Sequence, residues 1–159
     1  MKKGCHNRAC VLGSMLLALV LMSHVPAQGQ ISVIVAKSSP QRATEAELKE
    51  IFAGVKLTWS NGDKIQVVDQ PETEAGRKFY QEFVGKSAIE VRSQWIKLVL
   101  SGESNAPIKC VDDDATKKAV STNPNAIGFV LPQALDGSVR EIMRIVWSQE
   151  NLQRSVRHF

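Results

Sequence analysis

The sequence predicts an α/β domain: a mixed, largely parallel sheet flanked by helices. Three observations carry that expectation. Ile31–Ala36 is short, β-branched and almost continuously apolar, which suits a strand covered on both faces. Thr44 precedes Glu47 at capping-box spacing, and Leu48, Ile51 and Phe52 then fall on one helical face. Beyond them, strand-like and helix-like runs keep alternating to Val146, the order that layered α/β folds follow.

The elements follow in order. Ser38-Ser39-Pro40 closes the first strand, and Gly54 ends the helix that Thr44 begins. Asn61-Gly62 is a tight-turn signal, predicting a hairpin of Lys56–Trp59 with Ile65–Val68 that Pro71 stops. A helix is expected from about Thr73 to Val84, burying Phe79, Phe83 and part of Tyr80. Another runs from Ser87 to about Leu100, with Ile89, Trp95, Ile96 and Val99 as its core contacts. After a loop over Ser101–Pro107, Ile108–Val111 reads as a strand carrying Cys110, a buried and inert thiol. Asp112-Asp113-Asp114 caps a helix through about Ser121; it lacks the alternate spacing and glycine turn of a calcium loop. Ile127–Leu131 and Val139–Val146 complete the strands, the latter with Arg140 and Arg144 pointing outward. Trp59, Trp95 and Trp147 fit core or edge packing.

Composition bounds the chemistry. Lys2, Lys3 and Arg8 precede an uncharged apolar run, Ala9–Met22, and Val25-Pro26-Ala27 supplies small residues at a cleavage position. The run falls short of the roughly 20 residues that span a bilayer. Residues 1–27 therefore read as a signal peptide, 28–147 as one domain and 148–159 as a polar tail, of a protein exported to the periplasm and free of the membrane once cleaved. Losing those three cations takes the formal charge from +4 to +1, and no basic run interleaved with aromatics remains to bind nucleic acid. His158 and Cys110 are the last histidine and cysteine left. That excludes a histidine-based nucleophile site, a His/Cys zinc site and an internal disulfide. No glycine-rich phosphate loop appears. The expectation is a protein that is not an enzyme, with no metal and no cofactor.

Three stretches carry a family resemblance: Ala46–Gly54 with Trp59 beyond it, Val67–Glu72 running into Phe79 and Phe83, and Asn123–Val130. In order and spacing they resemble the second lobe of the phosphate-binding proteins of ABC importers, a periplasmic-binding-protein-like fold. Ala126-Ile127-Gly128-Phe129-Val130 is similar to that lobe's Gly-Ala-Ile-Gly-Tyr-Val strand. The resemblance covers about Ile31 to Val146 and implies a short, single-lobe relative.

What it implies for function turns on Asp69–Gly76. In two-lobed relatives the matching turn carries Arg, then Asp, then Ser-Gly-Thr at a helix start, where N–H groups, hydroxyls and the helix dipole hold a dehydrated oxyanion. Here the Arg position falls on Gln70 or Asp69. Glu72 keeps a carboxylate, Glu74 stands near the Ser position and Gly76 near the Thr, so only Thr73 and Arg77 favour an anion. A second carboxylate beside phosphate is repulsive by several kcal/mol at low effective dielectric. Read without the resemblance, the same turn is a helix start, with Thr73 as cap, Pro71 before it and Glu72 and Glu74 at its positive end. Two functions stay open. One is weak binding of phosphate or another small oxyanion at Gln70, Glu72, Thr73, Glu74, Gly76 and Arg77, with a transporter as partner. The other is an interaction module docking on an envelope or sensor protein.

Overall fold

A computed structural model describes residues 29–147; the expected signal peptide and polar tail lie outside the described residues. The strands β1 (Gly29–Ala36), β2 (Gln66–Asp69), β3 (Ile108–Lys109), β4 (Ala126–Val130) and β5 (Val139–Trp147) form one sheet in the order β3-β2-β4-β1-β5. β2 is parallel to β3 and to β4, while β1 is antiparallel to both β4 and β5. Four strands thus point one way and β1 runs against them, giving the mixed, largely parallel sheet expected. The apolar run of β1 explains its central place. From Ile31 to Ala36 every residue is buried, and alternate side chains feed opposite faces. Ile31, Val33 and Val35 join the main core; Ile34 joins a smaller one with Val68, Val120, Ala126, Val130 and Val139.

The main core is closed by helices whose starts are capped. Thr44 Oγ1 accepts from Glu47 N, and Glu47 Oε2 accepts from Thr44 N, at 3.3 and 2.9 Å. This box opens α1 (Glu45–Phe52), which buries Leu48, Ile51 and Phe52; Gly54, at φ 73°, turns the chain away. α2 (Glu74–Lys78) continues into a wider π turn over Phe79–Val84 rather than one regular helix, and Gly85 ends it in the left-handed region. The wider turn sets Phe79, Tyr80 and Phe83 all towards the core. Phe79 is its centre, with ring centroids 4.8 Å from Phe52, 4.3 Å from Phe129 and 5.3 Å from Phe83. Ser87 and Glu90 form a second capping box at the start of α3 (Ala88–Leu100). Asp112 caps α4 (Asp113–Ser121), which covers the smaller core.

Several expectations need correction. Lys56–Trp59 is not a strand: only one bridge, Thr58 to Lys64, forms across the Asn61-Gly62 turn. β2 is already flanked by β3 and β4, so no edge remains for a hairpin partner, and Trp59 instead donates its indole N–H to Asn125 O at 3.0 Å. On α3 the buried line is Val91, Trp95 and Leu98; Ile89 and Ile96 are 77% and 53% exposed, and Val99 is exposed too. The helix is apolar on two sides, and the stripe that contains Trp95 turns into the main core, where the Trp95 indole N–H donates to Phe52 O at 3.4 Å. The strand expected at Ile108–Val111 shrinks to β3, with Cys110 just past it and only partly buried. Arg140 is not outward. A bulge shifts the β1–β5 register between Val33 and Ile34, and the Arg140 guanidinium donates to Ser39 O and Gln41 O at 2.7 and 2.9 Å.

Candidate functional site

The chain leaves β2 at Asp69 and makes the turn in which the sequence places its candidate residues. Gln70 points inward. Its amide donates to Asp113 Oδ1 and to Phe129 O, each at 2.9 Å, and tethers the exit of β2 to the start of α4 and to β4. Asp113 also accepts from Leu131 N at 3.3 Å, so it joins the cap residue Asp112 in serving the fold. Thr73 caps α2: its hydroxyl accepts from Gly76 N at 2.9 Å and donates to Gln70 O at 3.0 Å. Gly76 has no room for a side chain, because a Cβ there would lie 1.9 Å from Gln70 O.

The charged members face outward. Glu72 Oε1 accepts from Arg92 at 3.0 Å, and Glu72 O accepts from Arg77 at 2.6 Å. Glu74 pairs with Lys78 at 2.8 Å, and that contact holds the Glu74 carboxyl below its ordinary range. The turn therefore splits the six candidates. Gln70 and Gly76 build its inside, Thr73 closes it, and Glu72, Glu74 and Arg77 stand at the surface.

Beside the start of α2 lies a shallow depression of about 220 Å³, lined by Glu74, Ala75 and Lys78 with Gln30, Leu131 and Trp147. Glu74 and Ala75 occupy the first helical positions, whose N–H groups have no acceptor within the helix. Gln30, Lys78 and Trp147 were not among the sequence candidates. Lys78 had a signal in its spacing from Glu74; Gln30 and Trp147 arrive through the β1–β5 ladder, where Gly29 is paired with Trp147.

A larger groove of about 300 Å³ lies between α3 and the segment leading into β3. Its walls are apolar, and Asp69 and Tyr80 line it. Burial pushes the Asp69 carboxyl up to about 6, against the opposing pull of the Tyr80 hydroxyl, the Gln70 N–H, Lys109 and Arg92. Burial, then Asp69, raise the Tyr80 hydroxyl well above its ordinary value. The two groups are neighbours but do not meet in hydrogen-bonding geometry: Asp69 Oδ1 and Tyr80 Oη have no partner among the described residues. Burial also pushes the Cys110 thiol up. Among the described residues no cluster of His, Cys, Asp and Glu could hold a metal ion.

No family model matches the chain, and no curated protein does. Solved structures do. An ABC-type phosphate transport receptor from Vibrio cholerae superposes with a TM-score of 0.56 at 16% identity, over 83% of this chain and 62% of that one. A structure from Clostridium perfringens, described as a phosphate ABC transporter substrate-binding protein with bound phosphate, gives 0.55 at 22% identity over 82% and 60%. PstS from Borrelia burgdorferi gives 0.51 at 15% identity over 66% and 41%. This chain thus spans about three fifths of the length of the first two. At such identities the likeness concerns the fold alone: this chain shares the fold of part of those phosphate-binding proteins, as the sequence resemblance implied.

Proposed function

We propose that this chain is a non-enzymatic, exported solute-binding domain that takes phosphate or another small oxyanion weakly at the start of α2. The observation that carries this is the depression beside the start of α2, lined by Glu74, Ala75 and Lys78 together with Gln30 and Trp147. Two solved structures sharing this fold are described as a phosphate transport receptor and as a substrate-binding protein holding phosphate. Binding is weak because Glu74 stands at the same mouth and already occupies Lys78, and because the depression is shallow and open to solvent. No helix among the described residues is long and apolar enough to cross a membrane.

Calorimetric titration of residues 28–147 with phosphate, sulfate and acetate is the test. The expected result is saturable heat for phosphate and sulfate with a dissociation constant of roughly 1 mM, about −4 kcal/mol. Glu74→Ser should tighten phosphate about tenfold by freeing Lys78, and Lys78→Ala should abolish the heat. No heat for any anion refutes the reading, as does sub-micromolar capture of phosphate by the unaltered chain.

A second reading has one observation in its favour. The Glu72 and Glu74 side chains are 80% and 75% exposed, paired with Arg92 and Lys78, at the turn where the family resemblance puts an anion grip, a mixed-charge face that a complementary surface on an envelope or sensor protein would meet. On that reading Glu72→Ser with Glu74→Ser leaves the fold intact and reduces recovery of a partner from periplasmic extract. If the double change instead raises phosphate affinity with no loss of a partner, the solute-binding reading stands.

A further inference from the structure

We propose that the groove between α3 and β3 is a second binding site, for a small neutral molecule whose apolar body ends in a hydroxyl group. The walls come from Val91, Trp95, Ile96 and Val99 of α3 and from Ala106 and Pro107 before β3. Ile96 and Val99 are apolar side chains left exposed with no packing role, while Val91 and Trp95 are buried beneath them. A cavity of about 300 Å³ with such a lining has the size and character of a small-molecule site. It adjoins the carboxyl end of β2, where open α/β sheets place their ligands.

The polar end of the groove selects the chemistry. Asp69 and Tyr80 are only 8% and 2% exposed, and Asp69 Oδ1 and Tyr80 Oη lack partners among the described residues. Buried polar atoms left unpaired are costly, so native structures seldom keep them without a role. One lacks a donor and the other an acceptor. A ligand hydroxyl supplies both, giving its hydrogen to Asp69 and accepting from the Tyr80 O–H. Charge argues for neutrality. A cation entering the groove meets Lys109 and Arg92, which line it and act on Asp69, whereas an anion meets Asp69 itself. None of these residues lines the depression at α2, so the two sites stand or fall separately.

The test is titration of the purified full chain, by calorimetry and by amide chemical shifts, with 4-ethylphenol, with its methyl ether 4-ethylanisole, and with 4-ethylbenzylamine. The expected result is saturable binding of the phenol, about tenfold tighter than the ether, as one buried polar contact is worth. Tyr80→Phe, which removes an unpartnered hydroxyl and so keeps the fold, should cut that preference to about twofold or less. Ile96→Arg, at an exposed position, should block phenol binding while phosphate heats stay as in the unaltered chain. Equal affinity for phenol and ether, tighter binding of the amine, unchanged phenol binding in Ile96→Arg, or no saturation by any probe overturns the proposal.

Discussion

Asp69 shows how one side chain sets a pH response. Its carboxyl titrates near 6 in the fold against an ordinary 3.8, so the folded chain holds this proton more tightly than the unfolded chain does. The group therefore weakens the fold above about pH 6, by an amount on the order of 3 kcal/mol, and stops doing so as pH falls below the unfolded value. Asp69→Asn should raise the urea midpoint at pH 8 and lose that advantage by pH 4; equal midpoints at pH 8 would contradict it. Glu47 acts with the opposite sign. Its hydrogen bond with Lys56 and those with Thr44 hold it near 2, so its contribution is present above the ordinary carboxyl range and lost as pH falls towards 2. Gly76 makes a second residue-scale prediction. Gly76→Ala forces a Cβ into Gln70 O, and the turn must open, at a cost of roughly 2–3 kcal/mol. Denaturant unfolding measures it, and a loss under about 0.5 kcal/mol would show that the turn yields freely.

Elements were read best where local chemistry decides them. The boxes at Thr44/Glu47 and Ser87/Glu90 start α1 and α3 through contacts three residues apart, a spacing visible in the sequence itself. Thr44→Ala should cost about 1 kcal/mol, read as a shift in urea midpoint with an unchanged slope. Elements decided by tertiary partners were less legible. α3 offers two apolar stripes, and only the position of the main core, with Phe52 and Gly54 at the end of α1, chooses Val91–Trp95–Leu98 over Ile89–Ile96–Val99. The Lys56–Trp59 segment has strand-like residues but no free edge to pair with. The π turn after Lys78 answers to the Phe52, Phe79 and Phe129 cluster rather than to any local signal.

For the whole molecule, the sheet and its likeness to phosphate receptors were legible because β1, α1, β2 and β4 each carry a compact apolar signature in the right order. The site was legible only in part. Thr73, Glu74 and Arg77 are neighbours in sequence, but Gln30 and Trp147 reach the depression through a ladder joining the two ends of the described chain. Asp69 at the end of β2 and Tyr80 in the π turn come together as an unsatisfied pair that no spacing rule foretells. The Gly29–Trp147 pairing has a further meaning for engineering. Both extremities of the described domain leave side by side, so a short glycine-serine bridge can join them and new termini can be cut at Asn61-Gly62, a surface turn. Such a circularly permuted polypeptide should melt within about 5 °C of its parent, since every strand keeps its neighbours.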